Sequence, residues 1–190
     1  MSVVRRLDMR IAQFLPFAVI GTIGYSGQSS STANSDARRC LQLVYQNDIK
    51  GLVRLAGPGT RFESKLFASY LLFRIDHSKY LNLFKTALPL TQAQCRAYAI
   101  IPGSLNADPG LETYIVSQPG VDIPISFWEI HKQIVKLANA SDSTAIASLL
   151  ALYGNGDGEI GEGIAADACE LFQHPNLVAA HWNLFEGKIQ

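Results

Sequence analysis

Apolar residues recur along most of this chain at the spacing of amphipathic helices, each run bounded by a capping residue or by glycine and proline. In ARRCLQLVYQ, Cys40, Leu41, Val44 and Tyr45 share a face, and Asp36 stands where an N-cap belongs. Asn47 or Asp48 caps a short helix over Ile49–Ala56, which Gly57-Pro58-Gly59 closes. Phe62–Ile75 is apolar on nearly every side, the mark of a central helix packed against several neighbours. Asp76 or Ser78 opens a helix through Tyr80, Leu81, Phe84 and Leu88, and Thr91 opens one through Cys95, Tyr98 and Ile101. After Pro124 the pattern resumes. Ser126 caps Phe127–Ala138, Ser141 or Ser143 caps the next helix, and Ala145–Phe185 continues as helix, glycine-rich turn, helix, histidine-marked turn, helix.

That closing stretch has a fainter copy near Asp48–Phe84. A single gap-free shift lays Ile49, Leu52, Leu55, Gly57, Gly59, Ala68 and His77 on Ile146, Leu149, Leu152, Gly154, Gly156, Ala165 and His174. A duplicated helical unit leaves such a phase. The expected fold is therefore all-α, a multi-helix bundle or a short HEAT-like superhelix of about eight helices. Two related halves, 34–101 and 125–190, are joined by the proline- and glycine-rich loop 102–124. In its paired helices and Leu/Phe-rich faces it loosely resembles HEAT-type helical-repeat domains, although no HEAT consensus is matched.

Residues 1–33 differ from the rest. A basic start with Arg5, Arg6 and Arg10 precedes the uncharged run Ile11–Gly24 and a small polar stretch ending in Ser31-Thr32-Ala33. This is the order of a secretory signal peptide, with an uncleaved membrane anchor or a buried N-terminal helix as alternatives. The apolar run falls short of the ~20 residues that a span needs, and Pro16 interrupts it. Residues 34–190 are expected to form a single exported domain, periplasmic or secreted, or held at the inner membrane if the leader stays. A formal net charge of zero gives no electrostatic footprint for nucleic acid.

Chemistry-bearing residues are sparse. Cys40, Cys95 and Cys169 are too few for a disulfide scaffold and too dispersed for zinc; one bridge with any of three pairings, or three buried thiols, fits them. Asn155-Gly156-Asp157-Gly158-Glu159-Ile160 imitates the centre of a calcium-binding EF-hand loop, but Tyr153 and Ile164 stand where its first and last ligands belong. His174 before Pro175 reads as a helix start. No metal or cofactor is expected.

The remaining candidate surface is the long loop with the helix behind it. Tyr114 and Trp128 offer aromatic anchors, and Asp108, Glu112 and Asp122 an acidic rim, the arrangement that protein-binding sites favour. The leading expectation is an exported module that binds another protein, of the inhibitor or immunity type, which occludes its partner. Two alternatives stand beside it. One is a small hydrolase built on His77, His131, His174, His181 and Asp157; the other is a structural component held at the membrane through residues 1–33. Histidines gathered with a carboxylate in one cleft favour the hydrolase, and histidines scattered over separate helices favour the binding module.

Overall fold

The computed structural model describes residues 28–99, 115–118, 121–124, 127–155 and 158–186; for 28–34, 115–118, 121–124, 127 and 158–160 it describes the backbone alone. Among these residues the protein is an all-α multi-helix bundle. Its ten helices are α1 (Gln28–Tyr45), α2 (Ile49–Leu55), α3 (Phe62–Ile75), α4 (His77–Lys85), α5 (Gln92–Ala99), α6 (Phe127–Asn139), α7 (Ser143–Leu152), α8 (Gly158–Phe172), α9 (Pro175–Ala180) and α10 (Trp182–Phe185). Between α5 and α6 lies one short antiparallel hairpin, β1 (Ile115–Gln118) and β2 (Val121–Pro124), in which Ile115 faces Pro124 and Ser117 faces Asp122. The segment 102–114, most of the long loop, lies outside the described residues, as does residue 100.

Two helices organise the packing. α3 is buried on every side, as its sequence implies: Leu66, Phe67, Ala68, Tyr70, Leu71, Leu72 and Phe73 are all at most 2% exposed. It packs against α1, α2, α4, α5 and β2. α7 plays the same part in the second half, with Ala145, Ile146, Leu149, Leu150 and Leu152 buried and α5, α6, α8 and α10 around it. One continuous core runs through both halves. The α5–α7 contact links them, and so does an ion pair between Lys85 on α4 and Asp142 before α7.

Caps set the boundaries. Asp48 accepts from the Gly51 N–H (2.8 Å), Asp76 from the Lys79 N–H (3.0 Å), and Asp142 from the Thr144 and Ala145 N–H groups (3.1 and 3.0 Å). Two expected starts are corrected. α1 begins at Gln28, so Asp36 is an interior residue whose carboxylate meets Arg61 at 3.6 Å. The cap of α7 is Asp142, with Ser141 before it and Ser143 as its first helical residue. α9 begins as expected, with His174 at the N-cap and Pro175 at the first helical position, although the imidazole makes no capping hydrogen bond.

The halves share one local device. α1 ends with Asn47 at φ 54°, its N–H on Val44 and the Asp48 N–H on Leu43, and Asp48 then caps α2. α6 ends with Ser141 at φ 66°, its N–H on Ala138 and the Asp142 N–H on Leu137, and Asp142 then caps α7. Each is a Schellman ending fused to an Asp cap. α7 has ten residues against seven in α2. Alignment by the caps and alignment by the helix ends at Leu55 and Leu152 therefore differ by that added turn. Packing diverges further: α1 lies along α3, whereas α6 touches α8 only locally.

Candidate functional site

Trp128 and His131 are three residues apart on α6, and Gly163 and Asp167 are four apart on α8, so each pair shares a helix face. The two faces meet. A Cβ on Gly163 would lie 2.5 Å from Cη2 of Trp128, so glycine is what admits the indole. The indole stands edge-on to the His131 imidazole, with ring centroids 5.9 Å apart. Trp128 is half-buried by this contact and is a packing element as well as a surface residue.

His131 is 1% exposed and lies between two polar partners. Its Nε2 is 2.9 Å from Asp167 Oδ2, and its Nδ1 is 3.3 Å from the Tyr98 hydroxyl on α5. An ionised carboxylate only accepts, which assigns the imidazole proton to Nε2. Nδ1 then accepts from the Tyr98 O–H. Burial holds the His131 pKa below its ordinary value, against the opposing pull of the Asp167 charge and hydrogen bond. Burial likewise pushes the Tyr98 phenol well above its usual range, and the Asp167 charge adds to this. The chain Tyr98–His131–Asp167 thus ties α5, α6 and α8 together. Tyr98 and His131 are enclosed within it, and Asp167 stands at its half-buried outer end.

The other histidines lie apart. His77 opens α4 with its ring 4.3 Å from that of Phe73, and His174 is exposed at the α9 start. His181, in the turn between α9 and α10, has Nε2 2.8 Å from Ser141 Oγ. Beside Ser141, burial pushes the Asp142 carboxyl up, but Lys85 and the Ala145 and Thr144 N–H groups outweigh it and leave the pKa lowered. Asp108, Glu112, Tyr114 and Asp157 lie outside the described residues. Asp122 is placed by its backbone, opposite Ser117 in the hairpin.

A second surface was not singled out by the sequence pattern. Arg38, Leu41, Gln42 and Tyr45, one stripe of α1, and Gln46 just past its end line an open groove of about 360 Å³. Tyr45 is 58% exposed there, the most exposed of the described large apolar residues. Helical spacing puts Tyr45 on the apolar face, and at the end of α1 it turns outward.

All three cysteines are free thiols. Cys40 and Cys95 are buried and Cys169 is half-buried. Burial, aided by Asp36 and opposed by Arg39, pushes the Cys40 thiol up to about 12, and its Sγ rests 3.8 Å from the Ser64 carbonyl. Such a thiol is inert at neutral pH. Ile164, at the closing ligand position of the calcium-like loop, is a core residue at 1% exposure. No group of three metal-ligating side chains occurs among the described residues, and none of their helices is long and apolar enough to cross a membrane.

Comparison with protein-family models, with curated proteins and with solved structures gives no match to this chain.

Proposed function

We propose that this chain is an exported α-helical module that binds another protein and acts by occluding it, as inhibitors and immunity-type proteins do. The observation that carries this reading is the α1 groove with Tyr45 at its mouth. Tyrosine is enriched at protein interfaces, and this ring stands exposed beside the buried Leu41. The complementary occupant is a large apolar side chain on a partner's surface, docked beside the Tyr45 ring. Tyr114 and Trp128, with Asp108, Glu112 and Asp122, make a second contact area in this proposal, supported by the partial exposure of Trp128.

The scatter of the histidines over separate elements supports binding over a hydrolase site shared among them. They stand at the start of α4, in mid-α6, at the α9 cap and in the α9–α10 turn. Among the described residues the one His–carboxylate contact, His131 to Asp167, belongs to an imidazole at 1% exposure, which substrate does not reach. The shared Schellman–Asp device supports descent of the two halves from one duplicated unit, and paired helices of this kind present broad faces to partners. Export, and any membrane attachment, rest on residues 1–33 as read from the sequence.

The test is affinity capture by the chain from its own periplasm or medium, run in parallel with Tyr45→Ala. A protein retained by the wild type and lost by the variant, at equal melting temperature, supports the reading. A protein retained equally by both removes the groove from it.

A further inference from the structure

Ser141 is the one described serine that combines a left-handed backbone with a side-chain contact to histidine. Its φ of 66° follows from its place at the end of α6, where the Schellman bonds require that conformation. Asn47, in the equivalent place after α1, is a residue suited to it; serine is not. Ser141 Oγ instead lies 2.8 Å from Nε2 of His181, forty residues away in sequence. His181 is fixed in turn by its backbone, which donates to the Leu177 carbonyl and accepts from the Leu184 N–H. Ser141 is exposed and His181 half-exposed, so a solute reaches the pair, unlike His131.

We propose that Ser141 and His181 form a nucleophilic dyad that is acylated by small, unhindered carboxylic esters and hydrolyses them. With the imidazole proton on Nδ1, Nε2 accepts the Ser141 proton as Oγ attacks the ester carbonyl. The tetrahedral adduct collapses with cleavage of the C–O bond to the leaving group, which takes the proton from Nε2 as an alcohol. Water then attacks the acyl-serine, again giving its proton to Nε2, and the carboxylic acid and free Ser141 are released. No further reactant is needed. The Asp142 carboxylate next in the chain opposes the developing oxyanion, and the Lys85 ammonium held against it offsets that charge. The open surface around the dyad sets the substrate class: it excludes nothing small and grips nothing large. This activity is independent of the α1 groove.

The probes are p-nitrophenyl acetate, followed by p-nitrophenolate release, and a fluorophosphonate, followed by mass spectrometry of the labelled peptide. The full chain is compared with S141G and H181Q. Glycine removes the hydroxyl while suiting φ 66°, so S141G keeps the turn. The expected result is a label on Ser141 in the wild type, none in the 141 peptide of S141G, and ester cleavage slowed at least ~100-fold in H181Q, the lower range for loss of a general base. Each variant should retain the wild-type circular dichroism. No label on Ser141 in the folded wild type overturns the proposal, as does equal cleavage by H181Q, which would leave the contact as a tie between two turns.

Discussion

The indole of Trp128 occupies the space in which any side chain at position 163 would begin. A Cβ built on Gly163 falls 2.5 Å from Cη2 and 2.9 Å from Cζ3 of that ring, closer than carbon atoms approach. The contact fixes the spacing of α6 and α8, and with it the seat of His131 against Asp167.

Gly163→Ala should therefore destabilise the protein although it improves a helix interior. The propensity gain of ~1 kcal/mol competes with ~1–3 kcal/mol for overpacking against a ring that His131 also confines. A net loss is expected as a fall in melting temperature of up to several degrees, at ~2–4 °C per kcal/mol for a chain of this size. Combining it with Trp128→Phe should cost less than the two changes summed, since the smaller ring yields the space. An unchanged or raised melting temperature for Gly163→Ala would mean that the ring is free to move.

Stability should fall on mild acidification because of His131. Its folded pKa lies below the ordinary 6.5, so below that pH the unfolded chain binds the proton first. The contribution is whole above pH 6.5 and is lost as pH falls from there toward the lowered folded value. Urea unfolding at pH 7.5 and 5.5 should show a loss in the wild type that is smaller in His131→Gln. Parallel losses in both would assign the acid sensitivity to other groups.

Among the described residues, two core hydroxyls lack partners. Ser69 Oγ on α3 and Ser148 Oγ on α7 are fully buried without a hydrogen bond. An unsatisfied buried polar group costs ~1–3 kcal/mol, so Ser69→Ala and Ser148→Ala should each leave stability unchanged or raise it by up to about that amount. A clear loss in chemical denaturation would reveal a hydrogen bond for that hydroxyl.

The two Asp caps should differ in worth. Asp48→Ala removes a cap, at ~1 kcal/mol. Asp142→Ala removes a cap with two N–H bonds and also the partner of Lys85, so its loss should be the larger. Equal losses would show that the Lys85 link between the halves contributes nothing.

Helices were legible where local chemistry decides them. Phe62–Ile75 is read to the residue because an all-round apolar run sits between Gly59 and Asp76, and the caps Asp48 and Asp76 are each one of two candidates in the sequence, beside Asn47 and Ser78. The start of α1 was not, since QSSSTANS has neither an apolar stripe nor strong helix formers. Ser141 and Ser143 both resemble caps, and only the left-handed turn at 141 shows that Asp142 takes the role. The Trp128–Gly163, His131–Asp167 and Ser141–His181 contacts join positions far apart in sequence. Each residue looks ordinary alone, so nothing local signals them. The α1 groove escaped for another reason: helical periodicity puts Tyr45 with Leu41 and Val44, but not how far the end of the helix turns it into solvent.

The most direct test of the binding role is the affinity of the captured partner, purified and titrated against the wild type, Tyr45→Ala and Tyr114→Ala. Tyr45 is 58% exposed, so its truncation should leave the melting temperature unchanged. A hot-spot residue is worth at least ~2 kcal/mol, and Tyr45→Ala should thus weaken binding at least roughly thirtyfold, with a further loss on adding Tyr114→Ala. Affinity equal to wild type in both variants, with the fold intact, or no protein retained above an empty matrix, would contradict the account.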